Sequence, residues 1–185
     1  MADLGVTARR GGPLGEELGL IARGVQLSLL PPADRVSLRA PADSIHDLNV
    51  ALSIGLPRRP KTSSSENGLS ALWLGPDEWL LIGETRDLMA ELRPVQALHS
   101  AVDISHRNVA IAVTGEKAAE CLSGACPQNL NDDVFPVGAA TRTVLGKVEI
   151  VLWRDGEQAF RVECWRSFAP YAFALLSASA RDAAA

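Results

Sequence analysis

The sequence predicts an α+β fold built from two tandem split βαβ units with mostly antiparallel sheets. Three observations predict it. Between Arg35 and Ile104 the apolar pattern runs strand, helix, strand, strand, helix, strand, the order of a ferredoxin-like unit. From Val109 the series starts again with a strand and a helix, then three strands and a closing helix. Turn residues separate neighbouring strands, Gly75-Pro76-Asp77 in the first half and Asp155-Gly156 in the second, which is antiparallel hairpin chemistry. A chain of 185 residues suits one domain or two tightly fused half-domains. The boundaries read as an N-terminal arm over 1–34 and a domain over 35–180, with half-units at about 35–104 and 105–180.

Each element has a local reason. Gly11-Gly12-Pro13 and Gly15 suggest a loose arm, and Leu18 to Leu30 is apolar with weak periodicity. Arg35 to Ala40 alternates, with Val36 and Leu38 on one face, as a strand does. Pro41 and Ser44-x-x-Asp47 open a helix in the manner of a capping box. Its buried stripe is Ile45, Leu48 and Leu52, and Gly55 and Pro57 stop it. Arg58 to Gly68 is polar and reads as an exposed loop. Ser70–Leu74 and Glu78–Ile82 form a hairpin carrying Trp73 and Trp79. Thr85 or Asp87 caps a helix through Leu88, Met89 and Leu92, Pro94 limits its end, and Ala101–Ile104 is a short strand.

The second half turns on Val109 to Val113, where Ile111 and the two valines alternate with Ala110 and Ala112. Neither face is polar, which fits a strand covered on both sides. Thr114-Gly115 breaks it. Glu116 to Ser123 is helical, with Ala118, Cys121 and Leu122 on one face and Gly124 at the expected left-handed C-cap. A longer excursion, Ala125 to Gly138, precedes strands at Ala140–Leu145, Lys147–Trp153 and Ala159–Cys164. Ser167 caps a last helix through Phe168, Tyr171, Ala172, Leu175 and Leu176, and Ala178 to Ala185 reads as a frayed tail.

Composition excludes several function classes. A hydrophobic content of 47% supports a real core, and a formal charge of −4 argues against a nucleic-acid binder, which needs a basic face. No apolar run approaches the ~20 residues of a membrane span. Residues 1–13 have no apolar stretch of the kind a secretory signal needs, so a cytoplasmic location is expected. Cys121, Cys126 and Cys164 are odd in number and unevenly spaced. They read as reduced, partly buried thiols rather than a disulfide framework or a zinc set.

The chemistry-bearing residues do not assemble into an active site. No phosphate loop of the G-x-G-x-x-G or G-x-x-x-x-G-K-[ST] kind is present. Asp103, Ser105 and His106 are triad residue types. In an extended segment, however, the first two share a face and the histidine points elsewhere, so the imidazole does not lie between them. Asp103 and Ser105 are instead expected to bond local backbone. His46 and His99 stand alone as surface or cap residues. Asp132-Asp133 and Glu16-Glu17 are adjacent pairs, which do not face each other as acid–base partners must. Arg166 has the fork to bind a carboxylate or phosphate, and a structural ion pair is the expected use. Trp73, Trp153 and Trp165 are core or interface candidates. The expectation is no catalytic, cofactor-binding or metal residue in this chain.

Five segments occur in a fixed order: Leu72-Trp-Leu-Gly-Pro-Asp-Glu-Trp-Leu-Leu81, Val102-Asp-Ile-Ser-His106, Cys126-Pro-Gln-Asn-Leu130, Phe135-Pro-Val-Gly138 and Arg166-Ser-Phe-Ala-x-Tyr171. As a series they resemble the gamma subunit of heterotetrameric sarcosine oxidase, over roughly Leu69 to Ala178. That family is similar in fold to the glycine-cleavage aminomethyltransferases, so the resemblance implies an aminomethyltransferase-like fold. It implies a non-catalytic structural subunit of a complex that oxidatively demethylates sarcosine to glycine, forming hydrogen peroxide and a one-carbon unit. The resemblance also implies alpha, beta and delta partner subunits. Alpha and beta would carry FAD, FMN, the NAD dinucleotide site and the tetrahydrofolate site, and delta would carry zinc. The aminomethyltransferases bind folate with a further domain that this chain is too short to contain, so no folate ligands are carried over. Two other readings stay open: a stand-alone folate or small-molecule binding protein of the aminomethyltransferase-like superfamily, and the matching subunit of an N-methylglutamate dehydrogenase-like complex. On the first reading, the hairpin around Pro76 and the Ala125–Gly138 excursion are expected partner surfaces.

Overall fold

The structure is a computed structural model, and it describes residues 13–14 and 19–184. The strands are β1 (Gly19–Ala22), β2 (Val25–Leu29), β3 (Asp34–Arg39), β4 (Ser63–Glu66), β5 (Leu69–Gly75), β6 (Glu78–Gly83), β7 (Ser100–Asp103), β8 (Asn108–Thr114), β9 (Ala140–Leu145), β10 (Val148–Gly156) and β11 (Ala159–Trp165). The helices are α1 (Ile45–Leu52), α2 (Leu88–Leu92), α3 (Ala118–Ser123) and α4 (Ala169–Ala183).

Two antiparallel sheets result, ordered β4-β5-β6-β3-β7 and β1-β2-β8-β11-β10-β9. Strand alternation sends each sheet's side chains into two different cores. On β6, Trp79 and Leu81 face α1 and α2 while Leu80 and Ile82 face the other sheet. On β10, Ile150 and Leu152 face α3 and α4 while Val151 and Trp153 face inward. The molecule therefore has four layers: helices, sheet, sheet, helices. The expected α+β class with antiparallel sheets holds. The first unit, β3-α1-β4-β5-β6-α2-β7, has the split βαβ strand arrangement with β4 added at one edge.

The second unit departs from the expected arrangement. Its counterpart series, β8-α3-β9-β10-β11-α4, ends on a helix, so it lacks a strand to match β7. The N-terminal hairpin supplies it. Strand β2 lies antiparallel beside β8, where β7 lies beside β3 in the first unit. Val25 and Leu27 are buried against the α3/α4 core. Residues 19–29 thus belong to the second sheet rather than to a separate arm. The weak periodicity is that of a short strand near an edge, where only alternate residues are buried.

Smaller expectations are also corrected. Part of the polar 58–68 loop pairs as edge strand β4 against β5. Ser44 makes no capping hydrogen bond, because a 3-10 turn from Ala42 precedes α1 and leaves it helical and buried. Asp87 does cap α2, its carboxylate accepting from Ala90 N–H at 2.9 Å. Gly124 is right-handed, with φ −66°, and an added side chain would meet Ser179 of α4. Its small size serves helix packing. Ser167 lies in a 3-10 turn and makes no cap bond. The expected frayed tail continues as α4, with Ala180 and Ala183 buried.

Gly115 joins the hairpin to the second unit. Its φ is +115°, and a Cβ there would fall 2.3 Å from the Gly24 carbonyl oxygen. That same carbonyl accepts the Lys117 N–H at 3.0 Å. The substitution Gly115→Ala is expected to destabilise the fold by ~1–3 kcal/mol from backbone strain alone, plus the clash. A urea midpoint unchanged from wild type would contradict this account of the hairpin.

Candidate functional site

The layer between the sheets contains charge as well as hydrocarbon. Arg161 and Glu163 project inward from β11, opposite Ala112 and Ala110 of β8, whose small side chains leave them room. Arg35 reaches across from β3. Glu163 is fully buried, and its two oxygens take one guanidinium each: Arg35 Nε at 2.7 Å and Arg161 Nε at 2.7 Å. Arg35 Nη1 also donates to the Ala33 carbonyl at 3.0 Å. Among the described residues, Arg35 Nη2 and Arg161 Nη2 have no hydrogen-bond partner. Two cations share this one buried anion, and Asp155 lies within electrostatic reach of Arg161. The Arg35–Glu163 contact joins the two sheets.

A third arginine, Arg154, holds the rim. Arg154 donates to Asp132, to the Phe135 carbonyl at 3.0 Å and to the Glu157 carbonyl at 2.6 Å, and lies over the Phe160 ring. It pins the Ala125–Gly138 excursion to the β10–β11 turn. Phe135 of that excursion is fully buried, while Val134 and Val137 remain exposed. Trp153 crosses the layers: its indole N–H donates to Ser63 Oγ, which donates to the Gly138 carbonyl at 2.6 Å.

The chemistry-bearing residues singled out in the sequence are scattered. Asp103 Oδ1 accepts from Ser105 N–H at 2.8 Å and from Ser105 Oγ at 2.6 Å, and Ser105 Oγ accepts from Arg35 N–H at 2.9 Å. The hydroxyl bond, then the backbone bond, hold the Asp103 carboxyl below its usual range. The segment buttresses the start of β3, and His106 points to solvent. His46 is exposed on α1, and the His99 ring contacts the Ala97 carbonyl. Asp132 pairs with Arg154, and Asp133 is exposed. Glu16 and Glu17 lie outside the described residues. Trp79 is fully buried with its N–H on the Pro57 carbonyl, whereas Trp165 is 42% exposed. Among the described residues, no three His, Cys, Asp or Glu side chains converge on one metal position, and no helix is long and apolar enough to cross a membrane.

A narrow cleft opens from the inter-sheet layer. Its walls include Ser37, Arg107, Asn108, Arg142, Glu163 and Trp165, and it encloses about 80 Å³. Cofactor and drug-sized ligands occupy sites of roughly 300–1,000 Å³. Arg142 on its rim is already paired with Glu78 at 2.6 Å.

The sequence profile of the sarcosine oxidase, gamma subunit family matches residues 38–182. The chain belongs to that family. It is 35% identical over 152 residues to a sarcosine oxidase subunit gamma of Corynebacterium sp. (strain P-1), spanning 78% of this chain and 74% of that one. With the subunit gamma of Corynebacterium sp. (strain U-96) it shares 32% over 150 residues, 76% of this chain and 71% of the other. A chain of the heterotetrameric sarcosine oxidase from Corynebacterium sp. U-96, solved with pyrrole 2-carboxylate, superposes with TM-score 0.87 at 28% identity, over 95% of this chain and 97% of that one. The glycine cleavage system aminomethyltransferase T of Bartonella henselae superposes with TM-score 0.63 at 14% identity, over 88% of this chain and 49% of the other. It shows the shared fold alone.

The inter-sheet charges give one prediction. Removing one partner of a buried ion pair costs ~3–5 kcal/mol, because the remaining charge stays desolvated. Glu163→Gln should fall in that range, since it strands two guanidinium groups. Arg35→Met should cost distinctly less, because it leaves the Arg161–Glu163 pair neutral and removes an orphaned donor. Urea midpoints in the reverse order would refute the cluster's role.

A second prediction concerns the thiols. Burial pushes Cys121 up to about 11, and burial, then the Glu163 charge, push Cys164 up to about 12, from an ordinary 9.0. A raised thiol favours the fold below the unfolded value, and that contribution is lost as pH climbs from 9 toward 11–12. At pH 8 both should resist iodoacetamide in the native protein and react in urea. Mass spectrometry showing rapid native labelling of either would contradict the burial.

Proposed function

We propose that the chain is a non-catalytic subunit of a heterotetrameric sarcosine-oxidase-type complex, which oxidatively demethylates sarcosine to glycine with formation of hydrogen peroxide and a one-carbon unit. The observation that carries this reading is the agreement in fold and in length with one chain of a heterotetrameric sarcosine oxidase. The polar geometry supports it. The buried Glu163 carboxylate is engaged by Arg35 and Arg161, and the buried Arg154 by Asp132, so these charges act within the fold. On this reading the flavins, the dinucleotide, the folate and the zinc belong to alpha, beta and delta partners. The complex works in the cytoplasm, where three unpaired cysteines are in keeping with a reducing compartment.

The test is co-expression of the tagged chain with the oxidase subunits of its own cell, followed by affinity purification. The expected eluate contains larger subunits, shows flavin absorbance and forms peroxide on adding sarcosine. Peroxide from N-methylglutamate instead would reassign the chain to the sister type of complex. A single colourless band that binds reduced folate would overturn the proposal.

A further inference from the structure

The hairpin that completes the second sheet is lightly attached to it. Strand β2 lies beside β8 through four residue pairs, Gln26–Thr114 to Leu29–Ile111, whereas β8 and β11 share seven. Strand β1 pairs with β2 and ends the sheet. Within the hairpin, Val25 and Leu27 are the buried hydrophobic side chains, and Ile21 is 82% exposed. Leu20, Ala22 and Leu29 pack at the margin of the α3/α4 core.

Its join to the rest of the chain is a break in hydrogen bonding. Leu30-Pro31-Pro32-Ala33 separates β2 from β3, which lies in the other sheet. The Leu30 N–H still donates to the Ala110 carbonyl at 2.9 Å. The two prolines have no N–H and hold the residues before them extended, so no ladder bond carries over from β2 to β3. The links that hold the remaining layers together lie elsewhere. Glu163 with Arg35 and Arg161, Arg154 with Phe135, and Trp153 with Ser63 involve no residue of the hairpin.

We propose that the β1–β2 hairpin is a separable strap, opening as one unit about Pro31-Pro32 while the rest of both sheets stays folded, and that the β8 edge it uncovers accepts an extended strand with apolar residues at alternate positions. Local openings of this kind lie below global unfolding in free energy. The uncovered edge presents the backbone groups of β8 and the two sites that Val25 and Leu27 fill. In strand addition, main-chain bonds give affinity and alternate side-chain sites give specificity. Gly115, where a Cβ would meet the Gly24 carbonyl, admits a close backbone approach at the end of that edge. The segment that fits is the chain's own Gly24-Val25-Gln26-Leu27, which in the closed form protects the edge from stray pairing.

Native-state hydrogen exchange on the full chain tests the opening. The Leu30 and Lys117 amides, bonded to Ala110 and to Gly24, report the hairpin, and amides between β10 and β11 report the rest. The two hairpin reporters should exchange at least about tenfold faster, with a weaker urea dependence. Ile45→Val, in the α1/α2 core, should lower β10–β11 protection about two- to tenfold. It should leave the hairpin reporters unchanged, because that core stays folded when the strap opens. Equal loss of protection at every site overturns the strap. A biotinylated peptide of residues 19–30 tests the edge. Leu27→Ala in the chain weakens the closed form, so its capture by the peptide should exceed that of wild type at least about tenfold. A peptide carrying Val25→Asp and Leu27→Asp should capture nothing. Val25→Ala gives the same comparison if Leu27→Ala does not fold by circular dichroism. A folded variant that binds neither peptide, or both alike, overturns the acceptor edge.

Discussion

The carboxylate of Glu163 constrains the rest of the molecule. It sits with no solvent contact between two sheets, where an unpaired charge is prohibitively desolvated. Arg161, two residues along the same strand, takes one oxygen, and Arg35, from the other sheet, takes the second. The requirement fixes register. A slip of one residue in β11 would turn Arg161 and Glu163 into the α3/α4 core and Val162 into the ion cluster. It also fixes how the sheets face each other, since Arg35 meets Glu163 only if β3 crosses over β11. The opposing alanines of β8 follow from the same need for room. An apolar layer of Leu72, Leu80, Ile82, Val151 and Trp153 completes the interface, and that part alone would tolerate sliding.

The second constraint is completion of the second sheet. A split βαβ unit needs a strand on the far side of its first strand, and the chain after β11 is spent on α4. The N-terminal hairpin fills the gap, with Val25 and Leu27 closing the helix-side core. The N-terminal hairpin and the last helix therefore meet in one unit: β2 lies in the sheet that α4 covers, and the Lys117 side chain reaches the Ala183 carbonyl near the end of α4. Gly115 is a glycine because the Gly24 backbone touches it there, and Gly24 because its φ is +78°.

Much of this was legible in the sequence, and the rest had physical reasons for being hidden. The order of elements from Arg35 onward and the hairpin at Asp77 follow from period and turn chemistry, which are local. The β8 strand is recognisable as covered on both faces because its own residues are apolar on both. The N-terminal hairpin was not, since its stabilising partner lies over eighty residues away on β8 and its own alternation is brief. The ion cluster was missed for a subtler reason. Phe160-Arg161-Val162-Glu163-Cys164 and Arg35-Val36-Ser37-Leu38 alternate apolar with polar, the pattern of a strand with one wet face. Here the polar face is dry, because another sheet covers it. The one readable signal was that β10, the neighbour of β11, has Val151 and Trp153 on that face where a wet strand would carry polar residues.

The same strand links the interior to the surface. Along β11 the inward face reads Arg161, Glu163, Trp165: the first two are buried in the lock between the sheets, and the third emerges at the rim, where it stacks on Phe168. Both Glu163 and Trp165 line the narrow cleft between them. The position of Trp165 therefore follows from a strand whose register is set by charge two residues away. A loop-borne aromatic would have to be ordered on contact, at a cost in side-chain and backbone freedom. This one is ordered already by the packing that makes the fold.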